Sequence, residues 1–541
     1  MTIDQKVRQM IMPSFRFWKP DDTEALPAET MARKLGEQHF GGIILFSDNI
    51  ASPEQASYFL RMVRKANSDT GGPAPYFFAI DQEGGQSSRL TGGTMMCGNM
   101  ALGAANDESV VTETVQVLGS EISEVGFNVD FAPVLDVNDN HSNPIIGIRS
   151  FSDDPEIVAR LGRSFIKALH NQGIMAAAKH FPGHGNAAVD SHVGLPVVDK
   201  SLEELQKTEL VPFKAASDIT DMMMTAHIQF PKVEKETYVS RETGEKVFLP
   251  ATLSKTIISD VLRKDLGFDG VVVTDAMVMG AIARHFDMLD AARLAINAGV
   301  DLILMPMELY SEASFKAMDD YVNAIVRMVE EGKIPESRID ESVGRILALK
   351  EKYKGQDEPR WISDWRSHVP FRWRSAFKSV TVLKNRERTL PLSGKERVLV
   401  ICPSVFSKVS VEESVGMMER SAVIPETHVI DILMEAEAAV LPEGYDVYVV
   451  ISENKCNVSI PKSPGGKTVF ISAQLPYDTA SATDYDAVLA CYGYAGAINL
   501  CACFSALFGT FNPRGRLPVL FPVLTGILSG RGAVRQKIDF L

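Results

Sequence analysis

Short apolar runs alternate with longer amphipathic stretches through about the first 345 residues, and this recurrence narrows the available folds more than any other feature of the chain. The runs are RQMIMP (8–13), GGIILF (41–46), YFFAID (76–81), NVDFAPVLD (128–136), MAAAKHF (175–181), DMMMTAH (221–227), GVVVTD (270–275) and VDLILM (300–305). Near-continuous apolar segments of this length suit parallel strands covered on both faces. The charge-rich stretches 202–217 and 285–298 between them read as covering helices. Eight strands in strict alternation with helices predict an α/β fold, a (β/α)8 barrel of the TIM type over 1–345. A doubly wound open sheet uses the same alternation, so the pattern alone does not establish closure.

Residues 346–376 break the rhythm. The segment KEKYKGQDEPRWISDWRSHVP is polar, contains proline and reads as a linker. Strand-like runs resume at 379–385, 397–403, 445–452, 467–473 and 486–493, followed by a helix at 495–509 that Gly509 and Pro513 would end. They predict a second, smaller α/β sandwich domain over 377–541. Two domains also suit 541 residues, more than one core ordinarily organises.

The formal charge, 55 − 69 = −14, argues against a polyanionic partner such as nucleic acid. The cysteines, Cys97, Cys402, Cys456, Cys491, Cys501 and Cys503, form no CxxC pair and read as reduced, buried thiols. The opening MTIDQKVRQM has no signal-peptide pattern, and the longest mostly apolar run, 495–509, is too short to span a bilayer. A cytoplasmic protein is expected, although an exported form with its signal removed would read the same.

Polar residues sit where the apolar runs end. Asp81 closes one, Lys179 and His180 another, His227 a third and Asp275 a fourth, while Asp130 and Asp136 bracket FAPVL. In a parallel barrel these ends share one face, where barrel enzymes place their chemistry. Asp and Asn also end strands as turn formers and helix caps, but half a dozen mixed acids and bases point to a common site. Asp275, in VVVTDAMVMGA, borders an apolar interior where an ionised carboxylate is costly without partners. It reads either as a cap or as a reactive carboxylate held by cations.

The stretch KHFPGHGNAAVDSHVGLP (179–196) mixes Lys179, His180, His184, Asp190 and His192 with glycines and prolines, which implies a shaped loop after a strand. His180 and His184 have the helical zinc spacing, but Pro182 and Gly183 intervene and the HExxH order is absent, which argues against a metal site. Asp190 and His192 share one side of an extended loop, where the carboxylate can orient the imidazole and favour its protonated form. Such an imidazole suits a proton donor that later acts as base; a loop-stabilising hydrogen bond is the other reading. IDQEGGQSSRL (80–90) places Asp81, Gln82, Glu83 and Arg89 around a Gly84-Gly85 turn that a ligand can approach closely. It is not a phosphate loop. Arg149, in NPIIGIRSFSDDP, is either a surface arginine or one that forks onto ligand oxygens.

Seven of these segments, GGIILF, IDQEGGQSSRL, NVDFAPVLDVN, IGIRSFSDDP, KHFPGHGNAAVDSH, MTAHI and VVVTDAM, closely resemble glycoside hydrolase family 3, in its β-N-acetylglucosaminidase branch, and occur in the same order. The second domain resembles that of two-domain members through YGYAGAINLCACFSALFGTFNPRGRLPV. The resemblance implies a retaining hydrolase with Asp275 as nucleophile, His192 as acid/base and Asp190 as its partner. It also implies that Asp81, Arg89, Arg149, Lys179 and His180 bind N-acetylglucosamine, with no metal or organic cofactor. The expected partner is a carbohydrate carrying that sugar, from cell-wall (muropeptide) fragments or chitin oligosaccharides. Two departures stand out: the family often has Asp-Thr at Asn186-Ala187 and Arg at Gln86. The alternatives are a phosphorylase of the same family, a β-glucosidase, and a degenerate barrel that only binds sugar.

Overall fold

Each of the eight apolar runs overlaps one strand of a closed parallel barrel. The structure, a computed structural model, describes residues 1–16, 25–188, 190–191, 194–355, 362–425, 427–437, 441–454, 465–493 and 498–520. The barrel strands are β1 (Ile11–Phe15), β2 (Gly42–Leu45), β3 (Phe77–Ile80), β4 (Val129–Asp130), β5 (Met175–Phe181), β6 (Met222–Thr225), β7 (Val271–Thr274) and β8 (Ile303–Leu309). They pair in the order β7-β6-β5-β4-β3-β2-β1-β8. A parallel bridge between Val273 and Leu302 then joins the two ends, with Thr274 N–H donating to the Leu302 carbonyl and Leu302 N–H to that of Val272, each at 3.0 Å. An open sheet would leave those groups unpaired, so closure excludes the doubly wound alternative. Residues of β2, β3, β6 and β7 are buried throughout, as strands between a packed barrel interior and an outer helical layer must be.

The second domain is a six-stranded sheet of β9 (Thr381–Asn385), β10 (Val398–Cys402), β11 (Ile430–Met434), β12 (Val447–Ser452), β13 (Lys467–Ser472) and β14 (Ala487–Ala490). Its order is β9-β14-β13-β12-β10-β11, and β9 runs antiparallel to β14. Alternate residues supply two cores. Val398, Val400, Val447 and Val449 pack with helices Val405–Arg420 and Ile498–Leu507, whereas Leu399, Ile401, Tyr448 and Val450 form a smaller cluster. Sequence reading missed β11, a half-buried edge strand interrupted by the exposed Asp431. The described cysteines are free and buried; Cys456 lies outside the described residues. Among the described residues no helix is long and apolar enough to cross a membrane.

The expected linker 346–376 overlaps two helices, Glu336–Lys352 and Val369–Ser379. The first continues past residue 346 because its C-terminal turn docks on the start of β6. Lys352 Nζ lies 2.8 Å from Asp221, and the Tyr353 hydroxyl donates to the same carboxylate. Polar composition concealed that register, since the charged side chains reach buried partners.

The face where the strands begin is held by charges that satisfy one another. Asp301, fully buried just before β8, accepts from Arg263 at 2.6 Å, Arg338 at 2.5 Å, the Ser342 hydroxyl at 2.8 Å and the Val272 amide at 3.0 Å. Removing one partner of a buried ion cluster strands the others in a poorly solvating interior. Asp301→Ala is therefore expected to destabilise the barrel by about 3 kcal/mol or more. Urea unfolding followed by tryptophan fluorescence checks this; a loss below about 1 kcal/mol, the range of exposed pairs, would show that the cluster does not brace the fold.

Candidate active site

At the opposite face the strand ends surround a cavity of about 900 Å³. Its wall includes six of the eight residues that the family resemblance assigns to a site: Asp81, Arg89, Arg149, Lys179, His180 and Asp275. Asp81 follows β3, Lys179 and His180 lie in β5, Asp275 follows β7, and Arg149 ends a short turn at Gly147–Arg149. Asp190 is described but is not part of this wall. His192 lies outside the described residues.

A residue left off the sequence-based site organises the charges. Glu83, almost wholly buried, receives the Arg149 fork at 2.9 and 2.7 Å and Lys179 Nζ at 2.7 Å. Lys179 also donates to Asp81 at 2.6 Å. Burial alone would raise the Glu83 pKa, but the Arg149 and Lys179 charges outweigh it and hold the carboxyl far below its ordinary range. Burial likewise opposes the Lys179 charge, and Asp81 and Glu83 overcome it. Arg89 reaches the cavity with a buried Nε that has no hydrogen-bond partner among the described residues. The arrangement offers fixed donors and acceptors to a polyhydroxylated ligand.

Asp130 sits behind this cluster and behaves differently. One oxygen accepts from the Gln82 amide at 2.9 Å, while the other has no partner among the described residues. Burial, reinforced by Asp81 and Glu83, pushes its pKa up to about 8 despite the Gln82 amide and Lys179.

Asp136 orients the first part of the loop after β5. Its carboxylate contacts His180 Nδ1 at 2.7 Å and accepts from the His184 amide at 2.6 Å. Burial would raise its pKa, but His180 and His184 keep it lowered. His184 is itself pushed down to about 4 by burial, so it is a neutral ring near pH 7, with Nε2 3.1 Å from the Ser191 hydroxyl. Gly185 is required where it stands, because a Cβ there would lie 1.7 Å from the Val137 carbonyl oxygen. Asn143 Nδ2 donates to the carbonyls of His184 and Gly185, at 2.8 and 3.0 Å. At the far end the Ser191 carbonyl accepts from Ala281 N–H at 3.1 Å. The residue before His192 is thus fastened to the segment that follows Asp275.

Asp275 itself is half-buried, with its carboxylate accepting from the Ala276 amide at 2.7 Å. Burial would raise its pKa; the charges of His180 and His227, the Ala276 amide and Lys179 together bring it below the ordinary value. It is therefore an ionised carboxylate facing a cavity, which a capping residue need not be. Among the described residues no group of three or more His, Cys, Asp or Glu side chains is placed to hold a metal ion.

The second domain reaches this face. The Tyr477 hydroxyl accepts from Asn138 Nδ2 at 2.8 Å, and its ring meets His141 edge-on. Leu475 packs where a Gly147 side chain would be, and Ile148, beside Arg149, belongs to the core of the second sheet. Asn99, on a barrel helix that shares this core, donates to the Arg149 carbonyl at 2.8 Å. The turn carrying Arg149 is consequently clamped between the domains.

The sequence profile for the Glycosyl hydrolase family 3 N terminal domain matches residues 2–349. Beta-hexosaminidase A of Pseudoalteromonas piscicida is 30% identical over 96% of this chain and 97% of its own length. The chain belongs to glycosyl hydrolase family 3. A solved family 3 β-N-acetylglucosaminidase from Paenibacillus sp. str. FPU-7 superposes with a TM-score of 0.80 at 32% identity, covering 96% of this chain and 99% of that one. The Beta-hexosaminidase of Pseudomonas aeruginosa is 32% identical over 61% of this chain and 90% of its own length.

The Asn186-Ala187 departure from the family 3 pattern has a local explanation. Asn186 Nδ2 donates to Asp139 at 3.1 Å, which keeps a polar tie at that position, and Ala187 is fully buried, leaving little room for a larger residue. Gln86 lies in the cavity wall. What sequence reading missed is which carboxylates face which cations. Glu83, Asp130 and Asp136 stood in noted motifs, but nothing in those motifs assigns partners.

The raised Asp130 pKa has a thermodynamic consequence. Between its ordinary value of 3.8 and about 8 the folded protein binds this proton and the unfolded chain does not. Its contribution to stability is therefore complete below about pH 4 and lost progressively as pH rises to about 8. Asp130→Asn, which removes the charge and keeps the shape, is expected to flatten that part of the profile and to be the more stable protein at pH 8. Urea midpoints at pH 5.5 and 8.5 check this; equal pH slopes for the two proteins would contradict it.

Proposed function

We propose that this family 3 glycoside hydrolase removes terminal β-linked N-acetylglucosamine with retention, through a covalent glycosyl-enzyme. The observation that carries the reading is an ionised Asp275 on the wall of the same cavity as the Asp81–Lys179–Glu83–Arg149 charge cluster. The cluster, with Arg89 and His180, would hold the sugar hydroxyls and acetamido group, fixing the ring so that its anomeric carbon meets Asp275. Asp275 attacks that carbon as the bond to the leaving oxygen breaks. His192, supported by Asp190, gives that oxygen its proton, then takes one from the water that releases the sugar.

Glycosidases ordinarily use a second carboxylate for the proton transfer. Here the VDSH motif supplies an imidazole at that step, as in the branch that the sequence resembles. The tie between Ser191 and Ala281 supports the pairing, because it draws the acid/base loop toward the nucleophile's own segment. Hexosaminidase names among full-length relatives favour N-acetylglucosamine over glucose as the bound sugar. Cell-wall fragments and chitin oligosaccharides both present it at a terminus.

Asp275→Ala is expected to lower kcat on nitrophenyl N-acetylglucosaminide by about 10³-fold or more without changing the circular dichroism spectrum. His192→Ala should slow substrates with alkoxide leaving groups far more than nitrophenyl glycosides, since only the former need a proton in the transition state. Equal losses on both would remove His192 from the acid role. The natural-sequence protein should prefer the N-acetylglucosaminide to the glucoside and release free sugar in phosphate buffer. A sugar 1-phosphate product would identify a phosphorylase instead.

A further inference from the structure

A second cavity, of about 850 Å³, adjoins the first and shares Val278 and Glu308 with it. It lies between the segment after β7 and the helix Glu312–Glu330 that follows β8, and is lined mainly by apolar side chains, among them Ile282, Phe286, Met307 and Tyr321. The charged groups at its edge are engaged elsewhere: Arg241 lies 3.4 Å from Asp287, and Glu308 lies 2.8 Å from Arg16. Yet Val278, Met288 and Tyr310, all in its wall, are 38%, 45% and 38% exposed. Large apolar side chains left open to water beside a catalytic cavity mark a surface that gains from being covered.

The orientation of the substrate identifies what covers it. The polar cluster that would hold the sugar hydroxyls comes from the ends of β3 to β5, whereas Asp275, which meets the anomeric carbon, follows β7. Displacement by Asp275 needs the leaving oxygen on the opposite face of the ring, beside its proton donor, and the acid/base loop is tied through Ser191 to Ala281, next to Ile282 in the second cavity's wall. Val278, shared by the two cavities, lies on the same segment, three residues beyond Asp275.

We infer that the second cavity is the leaving-group subsite, and that it selects glycosides whose aglycone carries an apolar alkyl or aryl group. The inference rests on the N-acetylglucosaminidase reading for the position of the sugar. The selectivity is a property of binding. A hexyl group has about five more methylenes than a methyl group, and burying two of them suffices for roughly tenfold.

Hexyl and methyl 1-thio-β-N-acetylglucosaminides, which resist hydrolysis, separate the two readings when titrated by calorimetry. The hexyl compound is expected to bind at least about tenfold more tightly. Ala313→Trp and Ala317→Trp, at exposed helix positions in the cavity wall, fill the space without touching the catalytic groups. Each should bring the hexyl Kd to within about twofold of the methyl Kd while leaving the latter unchanged. Matching gains should appear in kcat/KM for the hexyl over the methyl O-glycoside, whose leaving groups are of similar basicity. Binding of the methyl thioglycoside with no gain for hexyl, or a gain that survives both tryptophans, overturns the subsite while leaving the proposed function intact. Failure of both thioglycosides to bind overturns the two together.

Discussion

Two cations and two carboxylates from distant parts of the barrel meet at its mouth, and Glu83 is the side chain that joins them. It contacts the Arg149 fork and the Lys179 ammonium, and Lys179 reaches on to Asp81. Each ion buried alone would cost several kcal/mol or would change its protonation state. Together they remain charged, and their partners fix their positions. Asp130, with no cation in contact, is resolved the other way, by retaining its proton. One buried neighbourhood therefore contains both outcomes, and the difference between them is the presence of a close partner.

The second domain braces one arm of this lattice. Arg149 sits on a short turn, which by itself would not hold a guanidinium in place. The adjoining Ile148 is packed into the second sheet's core, Leu475 fills the space beside Gly147, and Asn99 holds the Arg149 carbonyl. The same loop carries Asn143, whose amide fastens the His184–Gly185 backbone. Packing between domains is thus transmitted to both Arg149 and the start of the loop after β5, with no second-domain residue in the cavity wall among those described.

Much of the fold was legible because a strand covered on both faces must be apolar along its whole length. All eight barrel strands announced themselves in this manner, and in the second domain only the half-buried edge strand β11 escaped notice. The helix that continues through Lys352 was harder to read, since its final turn is polar and its anchor, Asp221, lies 131 positions away. Of the site, Asp81, Arg89, Arg149, Lys179, His180 and Asp275 were recognisable by residue type at strand ends and by their motifs. The partners of Glu83, Asp136 and Tyr477 were not, because they lie 66, 44 and 339 positions away.

The sequence by itself determined the periodicity, and through it the alternating barrel and the chemical identity of the groups at its mouth; those are local properties of a chain partitioning between water and an apolar interior. Only the tertiary structure decided that the barrel closes, which carboxylate neutralises which cation, which acid keeps its proton, and where an apolar cavity opens beside the polar one. Those outcomes depend on distances of a few ångströms between residues far apart along the chain, because electrostatic and packing energies fall away steeply with separation.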